Sequence, residues 1–378
     1  PPPSHYLLND AKYPFEFAYA GQTVELVEIT ANDGKDIEND LIYGSVSGKK
    51  VDENGEALGG ALIGIFKADE TEFTKDNAIE TTVSADDGSF SFENVPYGVW
   101  VVKEIEAPTG YVLDGTPYQV TVNEDEQVIE ITVTDEFVRG NISLTKVDKD
   151  FPDNKLSGAV FEVYKDLNGD GKLDDGDELL GELEEADKGI YEMKELLYGK
   201  YLVKETKAPE GFVLDEGVYS VFIEENGKTY QVENEAGVGF INDAMRGSLK
   251  IVKTSSDGKV EGFSFRVTGE NGYDKTFVTD AKGEILIENL RIGEYTISEV
   301  SDKASANYVL PANKDATVKV GSTTVVTMHN ELRDTPKTGD DSKPWLWVAL
   351  MGVSAMGAAA LGVASYVGKR RKDKNTAE

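Results

Sequence analysis

Residues 166–178 read DLNGDGKLDDGDE, a stretch whose spacing suggests metal chemistry. Oxygen-bearing side chains at loop positions 1, 3 and 5, a glycine at 6, a hydrophobe at 8 and an acid at 12 make the EF-hand pattern. Here these are Asp166, Asn168, Asp170, Gly171, Leu173 and Asp177, with Lys172 offering its backbone carbonyl. Such ligands suit Ca2+, weakly held at an exposed site; the alternative is an acidic, glycine-rich surface turn. Zinc is disfavoured, because the chain has no cysteine and only two histidines, His5 and His329. No Ser-His-Asp, Cys-His or metallohydrolase arrangement appears, so the chain is not expected to be an enzyme.

A second pattern is repetition. VKEIEAPTGYVLD (102–114) returns as VKETKAPEGFVLD (203–215). Upstream, DDGSFSFENVPYGVWVVKE (86–104) aligns without a gap to DKGIYEMKELLYGKYLVKE (187–205) and, more loosely, to AKGEILIENLRIGEYTISE (281–299). Each copy opens on a glycine and an alternating segment: GSVSGKKVD (44–52), GNISLTKVD (140–148) and GSLKIVKTS (247–255). Copies at a fixed period are copies of one structural unit. The boundaries read 44–139, 140–246 and 247–332, with 1–43 as the tail of a truncated unit and 333–378 as a separate C-terminal segment.

The elements that position these residues are strands. Period-two runs such as QVTVNEDEQVIEITVTDEF, bounded by Gly, Asn, Asp and Pro, predict several short strands per unit and no long helix before the C-terminus. The fold class is all-β, with tandem Ig-like β-sandwiches. Without cysteine, disulfides cannot hold them together. The net charge of −32 argues against nucleic acid, which needs clustered Lys and Arg.

The C-terminus reads TPKTG (335–339), then the uncharged stretch 344–368, then KRRKDK. The apolar run is long enough to cross a bilayer as one helix, with Trp345 and Trp347 at one interface and Lys369, Arg370, Arg371 and Lys372 on the cytoplasmic side. A permanent single-pass anchor is one reading. The three-part arrangement also resembles the sorting signal of Gram-positive cell-wall proteins. That resemblance implies a sortase as partner, cleavage between Thr338 and Gly339, and transfer of the Thr338 carboxyl to a peptidoglycan precursor or a pilin lysine. The motif residues are Thr335, Pro336, Lys337, Thr338 and Gly339, with Thr335 where that family has leucine. The membrane would then be met only before cleavage, and the protein would end outside the cell on the wall.

The repeats themselves resemble the Cna B-type domains of SpaA-like pilins and adhesins, in which the phrase ending AP-x-GY-x-LD is the E-box. In that family a first-strand lysine forms an isopeptide bond with a last-strand Asn or Asp, promoted by the E-box glutamate. Carried over, the resemblance implies Lys50, Glu104 and Asp135 in the first repeat, and Lys146, Glu205 and Asn242 in the second. In the third it implies Lys253, Glu299 and Asn330, although NYVLP (307–311) stands in place of the E-box ending. Lys49 competes with Lys50, and strand alternation turns only one of them inward. In the truncated unit the acceptor is Asn39 or Asn32, with its lysine and glutamate expected upstream. Two functional classes follow. One is a wall-anchored stalk or adhesin segment, with any host or matrix ligand bound by a missing N-terminal region. The other is a passive spacer for an upstream enzymatic or ligand-binding domain. No YPKN-like pilin lysine is seen, so a polymerising shaft has no support.

Overall fold

The computed structural model of the chain describes residues 3–13 and 34–333, and this part is all-β. It divides into two compact units, Pro1–Met245 with the first two repeats and Arg246–Glu378 with the third. Residues 3–13 and 34–42 contribute an antiparallel bridge, Tyr6 to Leu41. Asn39 lies beside that bridge; Asn32 and the segment 335–378 fall outside the described residues.

Each repeat is a pair of sheets. In the first, one sheet runs Ser89–Pro96, Tyr43–Asp52, Gln127–Phe137, Tyr111–Val112 in spatial order. The other runs Glu80–Val83, Leu62–Lys67, Gly98–Glu106, Tyr118–Val122. The third repeat has the same order, with Arg246–Ser255 and Thr323–Leu332 as the central neighbours of one sheet and Ser264–Gly269 and Gly293–Glu299 as those of the other. The second has an additional edge strand, Glu184–Asp187, beside Ile190–Leu197, and only an isolated bridge, Phe212 to Ala244, where the others have a two-residue strand. Its last strand is split into Thr229–Gln231 and Phe240–Asn242, both lying parallel to Arg139–Asp148. In all three repeats the first and last strands are therefore parallel neighbours, although most other pairings are antiparallel.

The opening glycine of each repeat marks a close approach. A Cβ on Gly44 would sit 2.7 Å from the Gln127 carbonyl oxygen, and one on Gly247 would sit 2.1 Å from that of Lys319. The first strand passes under a neighbouring turn at these points, and only glycine leaves room. From there every second residue faces inward. The rows are Gly44, Val46, Gly48, Lys50; then Gly140, Ile142, Leu144, Lys146; then Gly247, Leu249, Ile251, Lys253. The gap left by Gly48 is filled by the Phe90 ring. Each sandwich has its own apolar core between the sheets, around Phe92, Phe161 and Phe265 respectively. Burying each such ring contributes roughly 1.5–3 kcal/mol. Each inward row thus ends, deep in an apolar core, on a lysine.

The first two repeats are closely joined. Only Val138 separates their adjoining strands, its N–H donating to Gly110 (2.8 Å), while Arg139 of the second pairs with Glu53 of the first.

Candidate cross-linking sites

Strand register decides which side chains meet. Lys50 lies opposite Val133, Lys146 opposite Phe240 and Lys253 opposite Met328. Asp135, Asn242 and Asn330 each stand two residues further along the last strand, so they share the inward face with the lysine. The glutamates come from the facing sheet, where Glu104 pairs with Ile63, Glu205 with Phe161 and Glu299 with Phe265. The lysine backbone is fixed as well. Its N–H donates to Gly88, Gly189 or Gly283 at 2.7, 2.8 and 2.8 Å. Lys49 points outward beside Asp87, leaving Lys50 as the buried member of the pair.

In the second repeat the three groups are in mutual contact. Lys146 Nζ donates to Asn242 Oδ1 and lies 3.1 Å from Glu205 Oε1. Asn242 Nδ2 donates to both Glu205 oxygens, at 3.0 and 2.9 Å. All three side chains are almost wholly buried, at 0, 0 and 3 % exposure. In the first repeat Lys50 Nζ contacts Asp135 Oδ1 and lies 3.5 Å from Glu104 Oε1. The third repeat is looser. Asn330 Nδ2 donates to Glu299 Oε1 at 2.6 Å, but Lys253 Nζ donates to the Thr254 carbonyl at 2.7 Å, with no hydrogen bond to Asn330.

Burial sets the electrostatics. Desolvation among Phe240 and Phe161 pulls the Lys146 pKa down to about 8, against the partial opposition of Glu205. Lys253, 4.4 Å from the Phe263 ring centre, is lowered for the same reason. Glu104 is raised, first by burial and then by the adjacent Asp135 carboxyl, and burial also raises Glu299. An amine held towards its neutral form beside an amide or carboxyl carbon, with a carboxyl held towards its protonated form, can undergo acyl transfer.

Some contributors carry no recognisable side-chain pattern. The N–H of Asp114 donates to Glu104 Oε2 at 2.9 Å, and that of Asp215 to Glu205 Oε2 at 2.8 Å. The Asp215 carboxylate in turn accepts from Tyr219 Oη (2.9 Å) and Asn234 Nδ2 (2.6 Å). Asn234 also ties down the excursion that splits the last strand, through Ile241 N–H at 2.6 Å. That excursion explains why glutamate and acceptor are 37 positions apart here and 31 in the third repeat. The only available signal for the aspartates is that both E-box phrases end on Asp.

The loop 166–177 is held by its own backbone. Asp166 accepts from the N–H groups of Gly169 (2.6 Å) and Gly171 (3.0 Å), Asn168 from Asp170 (2.9 Å) and Asp170 from Lys172 (2.9 Å). Asp177 accepts from Asp174 N–H at 2.9 Å, and Lys200 Nζ donates to the Gly169 carbonyl at 2.6 Å. Among the described residues no group of three or more His, Cys, Asp or Glu side chains is gathered closely enough to hold a metal. The TPKTG motif and the stretch 344–368 lie outside the described residues, and no described helix is long and apolar enough to cross a membrane.

Tandem two-sheet β-sandwiches, each burying a lysine and an Asn or Asp on parallel first and last strands against a glutamate of the facing sheet, define the class of protein. The family model described as SpaA: Prealbumin-like fold domain matches residues 44–137, 140–236 and 247–332, and the chain belongs to that family. The second match stops just short of Asn242, within the excursion that interrupts the last strand. Among solved structures the chain is similar to the Bacillus anthracis TIE protein, with 27% identity and a TM-score of 0.59. That likeness covers 77% of this chain and 51% of the other, so the chain spans about half the length of that relative. BcpA, the major pilin subunit of Bacillus cereus, is similar at 16% identity and a TM-score of 0.37, over 76% of this chain and 99% of BcpA. The full-length major pilin SpaD from Corynebacterium diphtheriae gives 16% identity and 0.24, over 78% and 98%. No curated protein matches the chain.

The Lys146 geometry predicts a pH dependence in Glu205→Ala, which leaves the buried amine without its counter-charge. The unfolded lysine titrates near 10.5 and the folded one at about 8 or below. Between those values the unfolded state binds more protons, so stability rises with pH and is lost as pH falls through the folded pKa. Urea midpoints of the second repeat in Glu205→Ala should be higher at pH 9.5 than at pH 7. The double variant with Lys146→Met should be flat over the same window.

Proposed function

We propose that each repeat closes an autocatalytic amide bond between its lysine and its last-strand acceptor, and that the chain is a cell-surface stalk segment stiffened by these bonds. The observation that carries the reading is the burial of three complete Lys-Glu-Asn/Asp sets at one register position in three sandwiches. In the second and third repeats the lysine Nζ–Cγ bond forms, the Cγ–Nδ2 bond of the asparagine breaks, and ammonia leaves. In the first repeat the acceptor is Asp135, and water leaves instead. The protonated glutamate donates to the acceptor's carbonyl oxygen, and as the new bond forms it passes the proton lost by the amine to the departing group. Holding the groups in contact supplies the effective concentration that an amide exchange otherwise lacks. Each domain reacts once, so this is self-modification without turnover.

The proposed mechanical role follows from topology. With first and last strands cross-linked, force on the chain ends passes through the bond and bypasses the sandwich between them. Closing a loop of 96 positions between Lys146 and Asn242 would also stabilise by about 4–5 kcal/mol if disulfide loop entropy transfers. On this reading a sortase joins Thr338 to the wall precursor or to a pilin lysine, placing the stalk outside a Gram-positive cell. The competing description is a passive anchored spacer.

Calcium binding by the loop 166–177 is a second part of this reading, supported by the ligand spacing in the sequence. Calorimetric titration of the chain should show one weak Ca2+ site that is absent in Asp166→Ala. No heat at millimolar Ca2+ would leave the loop as a turn.

Intact-mass measurement of residues 44–332 should fall short of the calculated mass by two ammonia and one water. Glu205→Ala should restore one ammonia and leave the other repeats unchanged, because each set is internal to its own domain. A full calculated mass for the unsubstituted chain ends the bond reading.

Single-molecule pulling separates stalk from spacer. The unsubstituted segment should show almost no domain extension before covalent rupture. The triple variant Lys50→Ala, Lys146→Ala, Lys253→Ala should give three unfolding steps. Ordinary sawtooth unfolding of the unsubstituted segment would favour the spacer.

A further inference from the structure

Sheet pairing places the three E-box endings in one frame. Tyr111 lies opposite Phe137 and Val112 opposite Glu136, next to the acceptor Asp135. In the third repeat Tyr308 lies opposite Leu332 and Val309 opposite Glu331, next to Asn330. In the second, Phe212 bridges Ala244, two residues beyond Asn242. The register equates GYVLD (110–114), GFVLD (211–215) and NYVLP (307–311), so Pro311 occupies the place of Asp114 and Asp215. A proline has no N–H to donate. Consistent with that, Glu299 Oε2 is buried without a hydrogen-bond partner, whereas Glu104 Oε2 and Glu205 Oε2 each accept the aspartate N–H.

The amide does more than satisfy an oxygen. By holding Oε2 it fixes the carboxyl plane and turns Oε1 towards the amine, 3.1 Å from Lys146 and 3.5 Å from Lys50. The aspartate side chains lock the donor in place. Asp114 accepts from Thr116 N–H (2.9 Å) and Tyr118 Oη (2.7 Å), and Asp215 from Gly217 N–H (2.7 Å) and Tyr219 Oη. In the third repeat the lysine turns instead to its own strand's Thr254 carbonyl.

We infer, resting on the amide-bond reading above, that Asp114 and Asp215 are positioning residues whose backbone N–H orients the glutamate for proton transfer, and that the third repeat, lacking this donor at Pro311, closes its bond more slowly. The glutamate carries charge during the transfer, so losing this hydrogen bond should slow the reaction about tenfold to a hundredfold.

The test is a time course on the full chain made by cell-free synthesis, quenched in acid, with each cross-link localised by digestion and mass spectrometry. The second repeat should close before the third. Asp215→Pro should slow the second repeat towards the rate of the third, while Asp215→Asn, which keeps the N–H and the side-chain acceptor, should restore it. Since Asp215→Pro can also disturb folding, the decisive arm is Pro311→Ala, which supplies an N–H and should accelerate the third repeat. Equal rates for Pro311→Ala and the unsubstituted chain overturn the inference while the bonds themselves stand. Absence of any cross-link in the unsubstituted chain overturns the bond reading, and this inference with it.

Discussion

A lysine at the inner end of an apolar strand row is the constraint on which each domain depends. Leaving an ammonium alone in such a core would cost several kcal/mol, and two charged groups taken from water together are only partly repaid by their attraction. The surrounding residues lessen that cost. Parallel pairing brings an amide or carboxyl two residues beyond the lysine's neighbour, and the facing sheet supplies a glutamate. A pair of opposite charges can then relax by proton transfer to a neutral amine and a neutral acid. The state that is least costly to bury is also the reactive one.

The three repeats meet this constraint differently. In the second, aromatic rings crowd Lys146 and every polar atom of the set has a partner. The first has no aromatic ring over Lys50 and sets two carboxyls on one amine, and burial, followed by the adjacent Asp135 carboxyl, raises Glu104. In the third, an orphaned carboxyl oxygen and an orphaned amide oxygen persist inside the core. Buried unsatisfied acceptors cost about 1–3 kcal/mol each. The third sandwich therefore carries a desolvation cost at this position that the second does not.

Much of this arrangement was legible in the sequence. Alternation from the opening glycines is enough to carry Lys50, Lys146 and Lys253 inward and Lys49 outward, and the repeated phrase marks the glutamates. The all-β class follows from the same period. Other features were not legible. The six additional positions before Asn242 form an excursion pinned by Asn234, and such a loop leaves no periodic trace. The donors to Glu104 and Glu205 are backbone N–H groups, which every residue but proline has, so only Pro311 makes their role visible, and only once the register is known. The loop 166–177 has ligand-like spacing, but its carboxylates are engaged with backbone amides, which spacing alone does not reveal.

The place of the proposed cross-link along the strands also matters. Gly44 lies beside Gln127 at one end of the parallel pair and Asp52 beside Asp135 at the other, while the chain enters at the first end and leaves at the second. Tension on such a pair acts in shear, loading many ladder hydrogen bonds together. Unzipping would break them one at a time. A bond between Lys50 and Asp135 would sit near the exit end, so the first strand from Gly44 to Lys49 would lie outside the closed ring and be loaded against its neighbours before force reached the bond. A cross-link at the entry end would instead leave most of the last strand outside the ring. Because the row of core side chains Val46 and Phe92 anchors the entry segment, the non-covalent core would protect the few residues that such a bond cannot.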